Sequence, residues 1–112
     1  MEVAFDYFES VANMAATVCD RNGVVVYQNR RAIDRDGDVV GKNLYGCHSK
    51  KSGEMIRRMM ENDCSNTYQV VSRGRHNLIH QTPWYDANGN VGGLIELAID
   101  LPNNMNVLNK DK

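Results

Sequence analysis

Three tight-turn signals divide this chain: Asp20-Arg21-Asn22-Gly23, Arg73-Gly74-Arg75 and Asp86-Ala87-Asn88-Gly89. Each stands between runs of residues that favour extended backbone. The first separates residues 14–19 from Val24-Val25-Val26-Tyr27, which predicts a β-hairpin, with Gly23 supplying the positive φ that the turn needs. The other two separate three further strands over residues 65–73, 76–85 and 91–100. Pro83 falls inside the middle one, so a bulge or a missing ladder bond is expected there.

The remainder reads as helix and loop. Ala4, Tyr7, Phe8, Val11 and Ala12 recur at helical spacing with Phe5 beside them, which predicts an amphipathic helix over residues 3–13. Its aromatic stripe (Phe5, Tyr7, Phe8 and Val11) can cover either its own sheet or a second subunit. Between Asn29 and Gly46 the turn formers Asp36-Gly37-Asp38 and Gly41-Lys42-Asn43 predict short helical turns and loops. Ser52 is placed to cap a helix over 53–62, with Glu54 in its first turn and Met55, Ile56, Met59 and Met60 as its apolar face. Asn62-Asp63 ends it.

The order helix, two strands, helical connection, three strands predicts an α+β fold. It is a five-stranded antiparallel sheet with helices on one face and an N-terminal helix. The long crossover is expected to return the third strand beside the first pair. The chain divides into an N-terminal helix (1–13), one domain (14–102) and a polar, Asn-rich tail or linker (103–112). The initial Met fits a natural start, and the tail fits a linker cut from a longer chain.

Composition narrows the function. With 112 residues, of which 42% are hydrophobic, the chain can build one modest core. A net charge of −1 gives no strong attraction to nucleic acid or to an anionic membrane. Lys50, Lys51, Arg57 and Arg58 form a local basic cluster, readable as a solvated helix face or a partner patch. Three cysteines, an odd number without a Cys-x-x-Cys, argue against a disulfide framework or a zinc ribbon. No basic segment followed by an apolar run opens the chain, and no apolar stretch approaches the roughly 20 residues of a membrane helix. The cytoplasm is the default compartment.

The element order resembles the PAS fold, and particular residues match its pattern. The hairpin from Val18 to Asn29 is similar to the opening PAS hairpin that ends in Asn. The segment Pro83 to Gly93 is similar to the turn between the last two PAS strands, and Ile99-Asp100-Leu101 to the closing Asp-Ile-Thr, from which Leu101 and Pro102 depart. A narrower resemblance is to a bacterial PAS subgroup with Cys-His-x-x-x-Ser before the main helix and Gly-x-x-Glu in the last strand. Here these are Cys47, His48 and Ser52, then Gly93 and Glu96, although Ser49 and Lys50 replace the subgroup's usual prolines. The resemblance spans roughly residues 10–102. It implies a module that senses a small molecule, light or redox state, or that pairs subunits into a homodimer and signals to an output protein the sequence does not name. It also implies a pocket between the sheet and the 53–62 helix. Met55, Ile56, Met59, Met60, Leu78, Ile79, Trp84, Leu94, Ile95 and Leu97 either line that pocket or fill a packed core.

A few residues could carry chemistry. His48 entering the pocket could ligate haem iron, with Cys47 as a second ligand or a redox-sensitive thiol; otherwise the pair is an ordinary loop. His76 and His80 share strand parity with Leu78, Thr82 and Trp84. If that face looks inward, His80 reaches a ligand; if outward, both are ordinary exposed side chains. Glu96 interrupts an apolar strand, and its simpler reading is solvent-facing, since a buried Glu96 needs a partner or a raised pKa. Flavin photochemistry is disfavoured, because Leu44 follows Gly41-Lys42-Asn43 where light-oxygen-voltage domains carry their cysteine. Catalysis is not expected: Cys47 with His80 lacks an orienting third group.

Overall fold

The computed structural model describes residues 2–44 and 50–111. Both Asp-x-Asn-Gly segments close their hairpins by one device. Asp20 Oδ1 accepts from the backbone N–H of Asn22 (2.9 Å) and Val24 (3.0 Å). Asp86 Oδ1 accepts likewise from Asn88 (2.9 Å) and Asn90 (3.0 Å). Gly23 and Gly89 take the left-handed conformation with φ of 83° and 81°. Arg73 and Gly74, both at positive φ, make the two-residue turn of a tight hairpin. These turns join β1 (Met14–Asp20) to β2 (Val25–Gln28), and β3 (Asn66–Ser72) through β4 (Arg75–Tyr85) to β5 (Val91–Leu101).

The five strands form one antiparallel sheet in the order β2-β1-β5-β4-β3. The fold class is as expected, but the crossover is not: β5, and not β3, lies beside β1. The physical reason is in the strands themselves. β5 (Val-Gly-Gly-Leu-Ile-Glu-Leu-Ala-Ile) is apolar on both faces and suits a central position, whereas the Asn-, Thr-, Gln- and Ser-containing β3 suits an edge. The irregularity expected at Pro83 falls one residue later, between Trp84 and Tyr85. Pro83 faces Leu94 on β5, and β3 has already ended opposite Gln81, so a proline there breaks no ladder on that side.

Three helices surround the sheet among the described residues: α1 (Glu2–Glu9), α2 (Arg30–Asp36) and α3 (Lys50–Asn62). α1 stops at Glu9, short of residue 13, and Asn13, at φ 64°, then turns the chain into β1. α3 starts at Lys50, so Ser52 lies inside it and is not its cap, and Glu54 lies beyond its first turn. Its inward stripe is Ile56 and Met59, with Met60 half-buried, while Met55 points away at 42% exposure. Residue 55 sits roughly 100° around the helix from residue 56, which places it outside the stripe. No helix is long and apolar enough to cross a membrane among the described residues.

Asn29, fully buried, ties four segments together. It caps α2: its Oδ1 accepts from Ala32 N (3.0 Å) and also from Ala16 N (3.0 Å) of β1. Its Nδ2 donates to the carbonyls of Phe8 (3.2 Å) and Met14 (2.9 Å). The core then splits in two. Ala32 of α2 packs with Ala15, Ile79 and Ala98, and Ile56 and Met59 of α3 pack with Cys19 and Leu94.

Candidate functional site

The two helices cover different rows of one sheet face. Under α2 lie Ala15, Ala98 and Ile79; under α3 lie Cys19 and Leu94, with Pro83 next across. Between these rows runs a third, read across the strands by register: Gln28, Thr17, Glu96, Gln81 and Asn66. Every one of the five strands contributes a polar residue to it. A small domain gains nothing in core stability from such a row, because each polar group must find a partner.

Some of the partners are within the protein. Gln28 is fully committed: its Nε2 donates to the Gly37 carbonyl (3.0 Å) and its Oε1 accepts from Val39 N (2.8 Å), which anchors the loop after α2. Asn66 Nδ2 donates to Gln81 Oε1 (3.3 Å), and Gln81 Nε2 donates to Glu96 Oε2 (2.8 Å). This amide relay holds one Glu96 oxygen. The other oxygen and the neighbouring Thr17 hydroxyl have no hydrogen-bond partner among the described residues.

They open on a cavity of about 300 Å³. Its polar wall is Thr17, Gln28, Gln81 and Glu96, and its apolar wall is Cys19, Val39, Leu44, Ile56 and Leu94, with Arg35 and Asp36 also lining it. Burial pushes the Cys19 thiol pKa up, so the thiol is held protonated. Tyr68, on the same face of β3, also has a raised pKa. Burial is the main cause and the Glu96 charge adds to it, with Arg35 opposing. A larger hollow of about 530 Å³ beside the Arg31–Asp100 pair is open and mixes Arg31, Arg35 and Arg75 with Asp34 and Asp100. Its exposed charges of both signs define no specific ligand chemistry.

Of the residues expected at a pocket, Ile56, Leu94 and Glu96 line the cavity, and Ile79 is buried with Ala32 beneath α2. Glu96 is therefore on the helix-covered face, contrary to the solvent-facing reading, and Gln81 is the partner it needs. Met59 is buried beneath the cavity wall and Met60 packs at its edge. Met55 is turned away. Leu78, His80, Ile95 and Leu97 belong to the opposite sheet face and do not line it, because the period of two assigns alternate residues to alternate faces. On that face His80 Nδ1 meets Thr67 Oγ1 (2.8 Å) and His76 Nδ1 meets Gln69 Oε1 (3.2 Å). Trp84 is a clamp instead of a pocket wall: it lies against Gly92 and donates from Nε1 to the Cys19 carbonyl (3.0 Å). Cys47 and His48 lie outside the described residues. Of the proposed pairing stripe, Phe8 stacks on Tyr27 of its own chain with centroids 6.2 Å apart. Val11 is half-buried and Tyr7 is exposed; the Phe5 side chain is not described.

Sequence reasoning missed Thr17, Gln28 and Gln81. The signal was available in the register: once Glu96 is paired with Thr17 and Gln81, three polar residues share one row.

Comparison with known proteins agrees with this fold. Among curated proteins, none matches the chain. Solved structures that are similar in fold include two of VqmA and one of a histidine-kinase PAS domain. The VqmA dimer of Vibrio cholerae, in the absence of its target DNA, has a TM-score of 0.72 and 19% identity over 91% of this chain. VqmA bound to DPO has a TM-score of 0.69 and 20% identity over 90%. The PAS domain of the histidine kinase ThkA has a TM-score of 0.65 and 20% identity over 78%. The chain spans 52% and 58% of the two VqmA chains and 98% of the ThkA domain. The sequence profile described as PAS fold matches residues 8–103, and the chain belongs to that family.

Proposed function

We propose that this chain is a sensory PAS module that binds a small ligand in the cavity between α2, α3 and the sheet, and that pairs with a second copy. One observation carries the ligand reading: a polar row between two helix footprints opens on a partly enclosed space with an apolar far wall. The similarity to VqmA bound to DPO and to a histidine-kinase PAS domain supports the sensory assignment. The target DNA named for VqmA belongs to that protein, and a net charge of −1 gives this module no comparable footprint. The module acts by binding instead of catalysis, in keeping with a Cys19 thiol held protonated at the cavity. Free thiols at Cys19 and Cys64 suit the reducing interior of a bacterial cell.

Pairing would use the sheet face opposite the cavity, where Val18, Ile95, Leu97 and Ile99 are only half-buried, together with the exposed Tyr7. The similarity to the VqmA dimer supports it.

Native mass spectrometry of freshly purified protein, with an absorbance spectrum of the same sample, tests both parts. A dimer carrying colourless extra mass is the expected result. A strong violet band would move the assignment to haem at His48. Bare protein mass would leave an interaction module with no ligand. A monomer at high concentration would sink the pairing.

A further inference from the structure

Resting on the ligand reading above, we infer that the cavity takes a small ring compound that presents N–H or O–H donors, neutral or cationic, and that it rejects anions. Size sets the first limit. At the roughly 30 Å³ that a liquid water occupies, a space of about 300 Å³ holds about ten heavy atoms, one ring with short substituents.

Chemistry sets the second limit. An ionised carboxylate only accepts hydrogen bonds. Glu96 Oε2 already accepts from Gln81, and the relay from Asn66 fixes the orientation of the Gln81 amide, whose oxygen and nitrogen each already hold a partner. Gln28 is committed at both ends to the loop after α2. On the sheet wall, among the described residues, the polar atoms that hold no partner are Glu96 Oε1 and the Thr17 hydroxyl, directly opposite each other across β5 and β1. Arg35 and Asp36 at the rim pair with each other (3.7 Å), which leaves Glu96 as the unbalanced charge. The Glu96 oxygen accepts only, and the Thr17 hydroxyl accepts or donates. A ligand with two adjacent donors, as in a ring-protonated amino-substituted nitrogen heterocycle, satisfies both; in the neutral form the amino group donates to Glu96 and the ring nitrogen accepts from the Thr17 hydroxyl. Leu94, Cys19 and Ile56 then meet the ring faces. A carboxylate or phosphate would be driven against Glu96.

Three probes of one shape test this: 2-aminopyridine, 2-methylpyridine and pyridine-2-carboxylate, titrated into isotope-labelled protein and followed by amide NMR. The expected result is that 2-aminopyridine shifts the Thr17, Leu94 and Glu96 resonances. It should bind about tenfold or more tighter than the methyl compound, as one charge-assisted hydrogen bond provides. Glu96→Gln, with a dispersed spectrum showing an intact fold, should remove most of that preference. Equal affinity for the amino and methyl compounds, or tighter binding of the carboxylate, overturns the donor class and leaves ligand binding standing. Silence from all three probes overturns the donor class and the ligand reading together.

Discussion

Two buried side chains show how far one residue can constrain this molecule. Asn29 makes four hydrogen bonds to backbone groups, linking the end of α1, the start of β1 and the first turn of α2. No other residue type supplies two donors and two acceptor positions at that length. Asn29→Ala should therefore lower the unfolding free energy by about 3 kcal/mol or more in urea titrations, since four buried groups lose partners at once. A loss under 1 kcal/mol would show that water replaces it. Cys19 is buried and has its pKa raised, while Cys64 is exposed. Iodoacetamide followed by peptide mapping should label Cys64 rapidly and Cys19 only when the fold opens. At Glu96 the sequence left two readings open, a pocket residue and a solvent-facing one, and the helix-covered face carries it. Its alternation with Leu94 and Ala98 was legible, but which face carries the helices was not, because both faces of β5 are apolar.

At the scale of elements, glycines and turns divide into two kinds. Gly89 sits at φ 81° with open space around its missing side chain, so Gly89→Ala should cost about 1 kcal/mol through backbone conformation alone. Gly93 is different: a Cβ there would run into the Cys19 carbonyl on β1. Gly93→Ala should cost about 3 kcal/mol, because two central strands would have to separate; thermal melts of the two variants would rank them. α1 is held through Tyr27, whose hydroxyl donates to Glu9 Oε1 (2.7 Å). Burial, that hydrogen bond and the Glu9 charge push the Tyr27 pKa up to about 12. A phenol raised above its ordinary value of about 10 stabilises the fold below that pH and loses the contribution as pH rises toward 12. Melting temperature should fall more steeply over that alkaline window in the wild type than in Tyr27→Phe. The helix boundaries were the poorly legible part: α1 ends at Glu9, and the positive φ of Asn13 that turns the chain into β1 is a backbone conformation that side-chain periodicity does not encode.

For the whole molecule, the polar row is a cost carried in the middle of the covered face. If it serves a ligand, replacing its central pair should not harm the empty protein. Gln81→Leu combined with Glu96→Leu should leave the melting temperature equal or higher, since removing both partners of a buried bond is near neutral or stabilising. Gln81→Ala alone should lower stability by about 1 kcal/mol, because Glu96 loses its donor. A large loss in the double variant would mark the row as structural. The opposite face makes a second whole-molecule expectation: if it pairs two copies, Leu97→Lys should yield a folded monomer in light scattering.

The sequence by itself determined the local geometry. Asp-x-Asn-Gly and Arg-Gly punctuate the chain so strongly that five strands and their hairpins follow from side chains bonding their own neighbouring backbone. It determined as well that these elements belong to one sheet of the PAS kind. Tertiary structure alone decided that β5 docks against β1, that α2 and α3 divide one sheet face between them, and hence which residues stand in the gap. Thr17, Gln81 and Glu96 are 15 or more positions apart in the chain, and only inter-strand register brings them into one row. Register is a property of pairing between distant segments, set by which strand can tolerate burial on both faces, and no local pattern carries it.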